Sequence, residues 1–115
     1  MKLEVDPGGV WYHGSDKAFD VLREGSTITQ WQALARAFSH QPTLLCTEDD
    51  GSIWHNGQKA GWLYAVDEPV ALGKDCYPHP RTAMEPLAEF VTTRPLRVRV
   101  IAPCLAAGGK TGPGG

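Results

Sequence analysis

The chain of 115 residues is 42% hydrophobic and 21% charged, the make-up of an ordinary globular domain and not of a disordered one. Its length suits a single domain with a real core. A net charge of −2 leaves no overall nucleic-acid footprint, no apolar run reaches the roughly 18–20 residues that cross a bilayer, and residues 1–6 lack the apolar stretch of a signal peptide.

The expectation is therefore a cytoplasmic protein with no membrane partner, a monomer or weak oligomer. Charge is unevenly spread: residues 1–76 carry 6 Lys and Arg against 11 Asp and Glu, whereas residues 77–115 carry 5 against 2. Arg94, Arg97 and Arg99 concentrate that excess, and their spacing fits either a phosphate-facing patch or the solvent face of a strand. Cys46, Cys76 and Cys104 are odd in number with no CxxC pair, which argues against a disulfide framework. Cys76 and His79 form a lone ligand pair, so no metal is expected.

In chain order, Asp6-Pro7-Gly8-Gly9 reads as a turn that launches a strand at Val10-Trp11-Tyr12. Residues 18–22 read as an irregular or single-turn segment, broken by Gly25-Ser26. The spacing predicts a helix over 30–37, with Thr29 as N-cap, Gln32 three residues on, and Trp31, Leu34, Ala35 and Phe38 on one apolar face. Pro42 limits it. Residues 43–47 and 51–55 flank an Asp-Gly hairpin signal, and residues 61–66 are the clearest buried strand. Three prolines make 71–86 a loop with a short helical piece at most. Residues 96–101 form a last strand with Val98 and Val100 inward, and the Gly-rich end reads as a flexible tail. His40 and His55 are expected at the surface or in loops. Short strands and few helices predict an α+β fold with a mainly antiparallel sheet.

The most informative segment is Tyr12-His13-Gly14-Ser15. A strand that delivers an imidazole and then a glycine sets a hydrogen-bonding ring beside bare backbone, where something flat and polar can lie. There is no Gly-rich phosphate loop, no Gly-x-Ser-x-Gly elbow and no His-Glu-x-x-His pair.

Tyr12-His13-Gly14-Ser15, then Ala37-Phe38-Ser39, then Glu89-Phe90-Val91-Thr92-Thr93 resemble, in order, the three motifs of the ADP-ribosyltransferase fold. Between them, Tyr64-Ala65-Val66-Asp67-Glu68-Pro69, followed later by Pro95-Leu96-Arg97-Val98, is similar to the core of the small rifamycin-modifying members. The resemblance spans about residues 10–101. It implies a split β-sandwich of two antiparallel sheets around an NAD cleft, one domain over 1–103, and a flexible tail over 104–115.

It further implies transfer of ADP-ribose from NAD+, used as substrate and without a metal, to an unidentified acceptor (small molecule, protein or nucleic acid). By the resemblance Glu89 is the catalytic acid, and Asp75 is the alternative, since the rifamycin-modifying type carries its acid in that loop. His13 meets an adenosine-ribose hydroxyl, and Gly14 offers its N–H and C=O to the nicotinamide amide. Ser15 and Ser39 join the cofactor-binding set, and Phe38 or Tyr64 packs on the nicotinamide ring. The second motif departs from the family's usual tyrosine, because position 38 is phenylalanine. Two other functions fit the same residues: an NAD-dependent RNA 2′-phosphotransferase-like enzyme, or a non-catalytic binding module.

Overall fold

The computed structural model describes residues 4–48, 50, 52–80, 87–104 and 109–111, the last three as backbone. The elements are β1 (Tyr12–Ser15), β2 (Val21–Leu22), β3 (Thr27–Ile28), α1 (Gln32–Ser39), β4 (Leu45–Thr47), β5 (Ile53–His55), β6 (Gly61–Val66), β7 (Cys76–Pro78), β8 (Phe90–Thr92), β9 (Leu96–Cys104) and β10 (Gly109–Thr111). They form a small, mostly β, α+β fold, and every pairing between these strands is antiparallel. The arrangement is compatible with a split β-sandwich. Among the described residues there are three sheets and not the expected two, in the orders β1-β6-β9-β2, β3-β8-β7 and β10-β5-β4. None of the described helices is long and apolar enough to cross a membrane.

The opening turn forms as its residues dictate, with Gly9 N–H donating to the Asp6 carbonyl at 2.9 Å. Helix α1 begins two residues later than expected. Thr29 does not cap it. The Thr29 hydroxyl instead accepts the Trp31 N–H at 3.0 Å, tightening the approach to the helix. Its small and apolar residues, Ala33, Leu34, Ala35 and Ala37, are buried, while Trp31 and Phe38 flank that face half-covered. Leu34 and Ala37 pack with Ile53 of β5, and Ala35 packs with Leu63 of β6, so one short helix ties two sheets. Leu34 and Leu63 are fully buried, and each such side chain contributes about 1.5–3 kcal/mol.

Four expectations are corrected. The segment 18–22 contains strand β2 and no helical turn, because Val21 and Leu22 pair with Arg97 and Leu96 along the edge of β9. Within the prolyl loop, Cys76–Pro78 is strand β7 on β8; Pro78 ends an edge strand, where a missing N–H is tolerated. Residues 81–86 of that loop lie outside the described residues. Val98 is buried, but Val100 is 48% exposed. The β6–β9 register shifts between Leu63, opposite Ala102, and Tyr64, opposite Val100, and the extra residue bends β9 out of cover there. Finally, Gly109–Thr111, placed in the tail, lies along β5 as β10, since main-chain pairing needs no apolar side chain.

Candidate functional site

Strand β1 sits at the edge of its sheet, and its pairing alternates. Val66 N–H donates to the Trp11 carbonyl at 2.9 Å, which by register turns the main-chain groups of Trp11 and His13 toward β6 and those of Tyr12 and Gly14 away from it. Tyr12 spends its pair on Thr29, in bonds of 2.7 and 3.0 Å. Were that ladder to continue, Gly14 would meet Thr27. It stops, because His13 Nδ1 takes the Thr27 carbonyl at 2.6 Å and wedges β3 away from β1. The Gly14 N–H and C=O are thereby left on the open edge, facing a cleft of about 720 Å³ that both residues line.

Glycine is required at 14 for a second reason. A Cβ there would lie 1.7 Å from the Ala35 carbonyl oxygen and 2.9 Å from the Ser39 nitrogen, inside the backbone of α1. The missing side chain lets the helix lie against the strand, while the strand's edge serves the cleft.

A carbonyl only accepts, so the His13 proton is on Nδ1 and the neutral ring presents Nε2 as an acceptor. Burial holds its pKa below the ordinary 6.5, with the Thr27 carbonyl opposing that shift more weakly. Beside it, Phe19 lines the cleft and stacks on Tyr64, centroids 4.6 Å apart and planes 11° from parallel. Tyr64 is fully buried beneath, donating its hydroxyl to the Lys17 carbonyl at 2.6 Å and accepting the Phe19 N–H at 3.2 Å.

The opposite lip is the turn from Arg23 to Ser26, with Gly25 at φ +82°. Buried Thr92 of β8 straps it down. Thr92 Oγ1 donates to the Arg23 carbonyl and accepts the Ser26 N–H, both at 3.1 Å, while its own carbonyl takes the Gly25 N–H at 2.9 Å.

Of the residues expected at the site, His13, Gly14, Ser15, Phe38 and Glu89 all line this cleft, although they come from β1, α1 and the entry to β8. Glu89 is half-buried there, and its carbonyl accepts the His79 N–H at 3.0 Å. Ser15 accepts the Lys17 N–H at 3.1 Å, which shapes the loop after the strand. Three others lie elsewhere. Tyr64 is behind Phe19. Ser39 is fully buried, its hydroxyl bonded back to the Arg36 carbonyl at 2.6 Å.

Asp75 lines a separate cavity with Pro69, Lys74, Thr93 and Arg94. It is 6% exposed, and both its oxygens are occupied, one by the Ala71 N–H at 2.8 Å and the other by Arg94 Nε at 2.9 Å. These two bonds, the backbone one first, hold its carboxyl below its ordinary 3.8.

The arginines are partnered too. Arg94 also reaches Glu68 at 2.7 Å, and Arg97 donates its backbone N–H to Glu68 at 2.6 Å. Arg99 stands 3.9 Å from Asp67. Arg97 and Arg99 alternate outward along β9 with side chains 70% and 62% exposed, as on the solvent face of a strand, while Arg94 is held by Glu68 and Asp75. His40 and His55, expected at the surface or in loops, are both buried and stacked, centroids 5.0 Å apart, His40 in the turn after α1 and His55 at the end of β5.

Sequence reasoning passed over Lys17, Phe19, Arg23 and Gln41, which also line the cleft. The available signal was local: a cation and an aromatic residue follow the His-Gly-Ser step within four positions. No protein-family model matches this chain, and no curated protein or solved structure matches it significantly.

Proposed function

We propose that the cleft binds NAD+ and that the protein transfers its ADP-ribose to an acceptor with release of nicotinamide. The observation that carries this reading is the main-chain edge of Gly14 turned away from β6, one donor and one acceptor in a cleft that Phe38 and Glu89 also line. A primary carboxamide is the complement of such an edge, since it presents one acceptor and one donor in a plane. Phe38 packs on the attached ring. His13 Nε2 accepts a ribose hydroxyl, which requires the neutral imidazole that burial maintains.

Reaction breaks the bond between the ribose C1′ and the pyridinium nitrogen. The bonding pair leaves with nicotinamide, which becomes neutral, and positive charge develops on the ribose ring. Glu89 supplies the opposing carboxylate in a partly enclosed site, where fixed charges act strongly. The acceptor then bonds to C1′ and gives up its proton to solvent.

Thermal unfolding with NAD+, together with a nicotinamide-release assay, tests this. Ligand at 100 times its dissociation constant stabilises by about 2.7 kcal/mol. Stabilisation with nicotinamide release supports the transferase. Stabilisation without turnover supports a binding module, and neither effect at millimolar NAD+ overturns the proposal.

A further inference from the structure

We infer that Lys17, Phe19 and Arg23 form a nucleoside-diphosphate subsite in this cleft, with Phe19 as the platform for the base and the two cations as the phosphate contacts. The inference deepens the proposed NAD+ reading and rests on it for the cleft's second half, but its chemistry stands on separate residues.

Phe19 is half-buried, one face closed by the stacked Tyr64 ring, and it lines the cleft beside the His13 ring, 5.8 Å away between centroids. An aromatic side chain held in this way accepts a base by stacking whatever the base's identity. Lys17 and Arg23 approach the same space from the two segments that flank Phe19, and both side chains are exposed. Arg94, Arg97 and Arg99, by contrast, sit within 4 Å of carboxylates.

Both segments are anchored before any ligand arrives. The Tyr64 hydroxyl grips Lys17 O and Phe19 N, and Thr92 grips the Arg23 turn through its side chain and its carbonyl. Groups already held in place lose little freedom on binding, which favours affinity. Tyr64 is therefore a positioning residue. It acts on the ligand through the loop it pins.

Calorimetric titration of the full chain with ADP, adenosine and NAD+ tests the inference. Phe19→Ala is expected to weaken ADP and adenosine on the order of 10-fold. Lys17→Ala and Arg23→Ala are expected to weaken ADP several-fold each, to flatten its salt dependence and to leave adenosine unchanged. Phe19→Trp retains ADP binding, and its added fluorescence is quenched by the bound base. Tyr64→Phe keeps the ring and the fold yet weakens ADP, with the Phe19→Trp quenching lost in the double variant, a signal that a purely structural role would not move.

ADP affinity indifferent to Phe19, Lys17 and Arg23 overturns the subsite even if NAD+ is bound and turned over. ADP binding with the expected pattern but no nicotinamide release keeps the subsite and removes the transferase. No binding of ADP to the unaltered protein overturns the subsite outright.

Discussion

Two regions of this molecule combine an acid with basic residues, a closed cluster around Asp75 and the open cleft that Glu89 lines. Around Asp75, Arg94 and Glu68 each charge has a protein partner: Arg94 bridges both carboxylates, and backbone N–H groups of Ala71 and Arg97 complete them. Around Glu89 the wall is made of His13 with Nε2 available, the open edge of Gly14, and the exposed cations Lys17 and Arg23. The first region fastens the 67–75 loop to the start of β9. The second lines an open cleft with the edge of β1 and the exposed Lys17 and Arg23. Acid identity alone does not say which carboxylate serves a cleft; the groups that surround it say more, and Asp75 is closed in by Ala71 and Arg94.

The sharpest break of that contrast is Glu89→Gln against Asp75→Asn. If Glu89 opposes the charge that develops on the ribose, Glu89→Gln retains NAD+ binding and loses on the order of 10²–10³ in turnover. Asp75→Asn leaves turnover within a factor of two or so, since its cavity is separate. Nicotinamide release measured on both variants decides the assignment, and the opposite pattern would move the acid to Asp75.

Next in size is Gly14→Ala. The added Cβ meets the Ala35 carbonyl at 1.7 Å, and neither strand nor helix can retreat without unpacking Leu34 and Leu63. Urea unfolding should show a loss of about 3 kcal/mol, the upper end for overpacking. A loss under 1 kcal/mol or so would mean that α1 does not lie on β1 as described.

These contrasts mark what was legible in the sequence. Strand β6, the hairpin β4–β5 and the cluster of His13, Gly14, Phe38 and Glu89 could be read because each rests on a local signal: an apolar run, a turn pair, a short motif. The roles of Tyr64, Asp75 and Arg94 could not. Tyr64 reads as a ring on a strand, and only the loop folding over it shows that Phe19 has taken the cleft face. Arg94 reads as one cation among three until the chain brings Glu68 and Asp75 to it across 26 and 19 residues. Likewise the bulge that exposes Val100 is a property of pairing between strands and leaves no trace in alternation. Non-local partnership was the part that composition and periodicity do not encode.

A third measurement uses pH at the cleft. His13 is held neutral by burial, its pKa below 6.5, and ligand binding through Nε2 needs that neutral form. The apparent Michaelis constant for NAD+ is therefore expected to be flat above neutrality. It should rise as pH falls below 6.5 toward the depressed value. His13→Gln should raise the constant severalfold at pH 7 and abolish the acid limb, with kcat less affected. His55, its pKa also lowered by burial and then by His40, lies outside the cleft lining, so His55→Gln should leave that limb in place.

At the clamp the pH response has the same sign but lies lower. Asp75 and Glu68 have pKa values depressed below their ordinary 3.8 and 4.5, so they bind fewer protons folded than unfolded. Their stabilisation is complete above about pH 5 and is lost as pH falls through the depressed values. Asp75→Asn should lower the Tm by a few degrees at pH 7 and flatten the acid limb of a Tm profile between pH 5 and 3. An unchanged profile would remove Asp75 from the clamp.

The smallest effect sharpens the comparison from the other side. Arg99 and Asp67 stand 3.9 Å apart with side chains 62% and 60% exposed, so solvent screens them and holding both costs rotamer freedom. Arg99→Ala should change stability by less than about 0.5 kcal/mol, and it should leave ADP affinity unaltered, because Arg99 does not line the cleft. Arg23→Ala should be equally mild in stability, since that side chain is exposed and the turn is held by main-chain and Thr92 contacts. The two variants then look alike by unfolding and differ only by titration with nucleotide. If Arg99→Ala weakened ADP as much as Arg23→Ala, the effect would be general surface charge, and the special status of the cleft's cations would be lost.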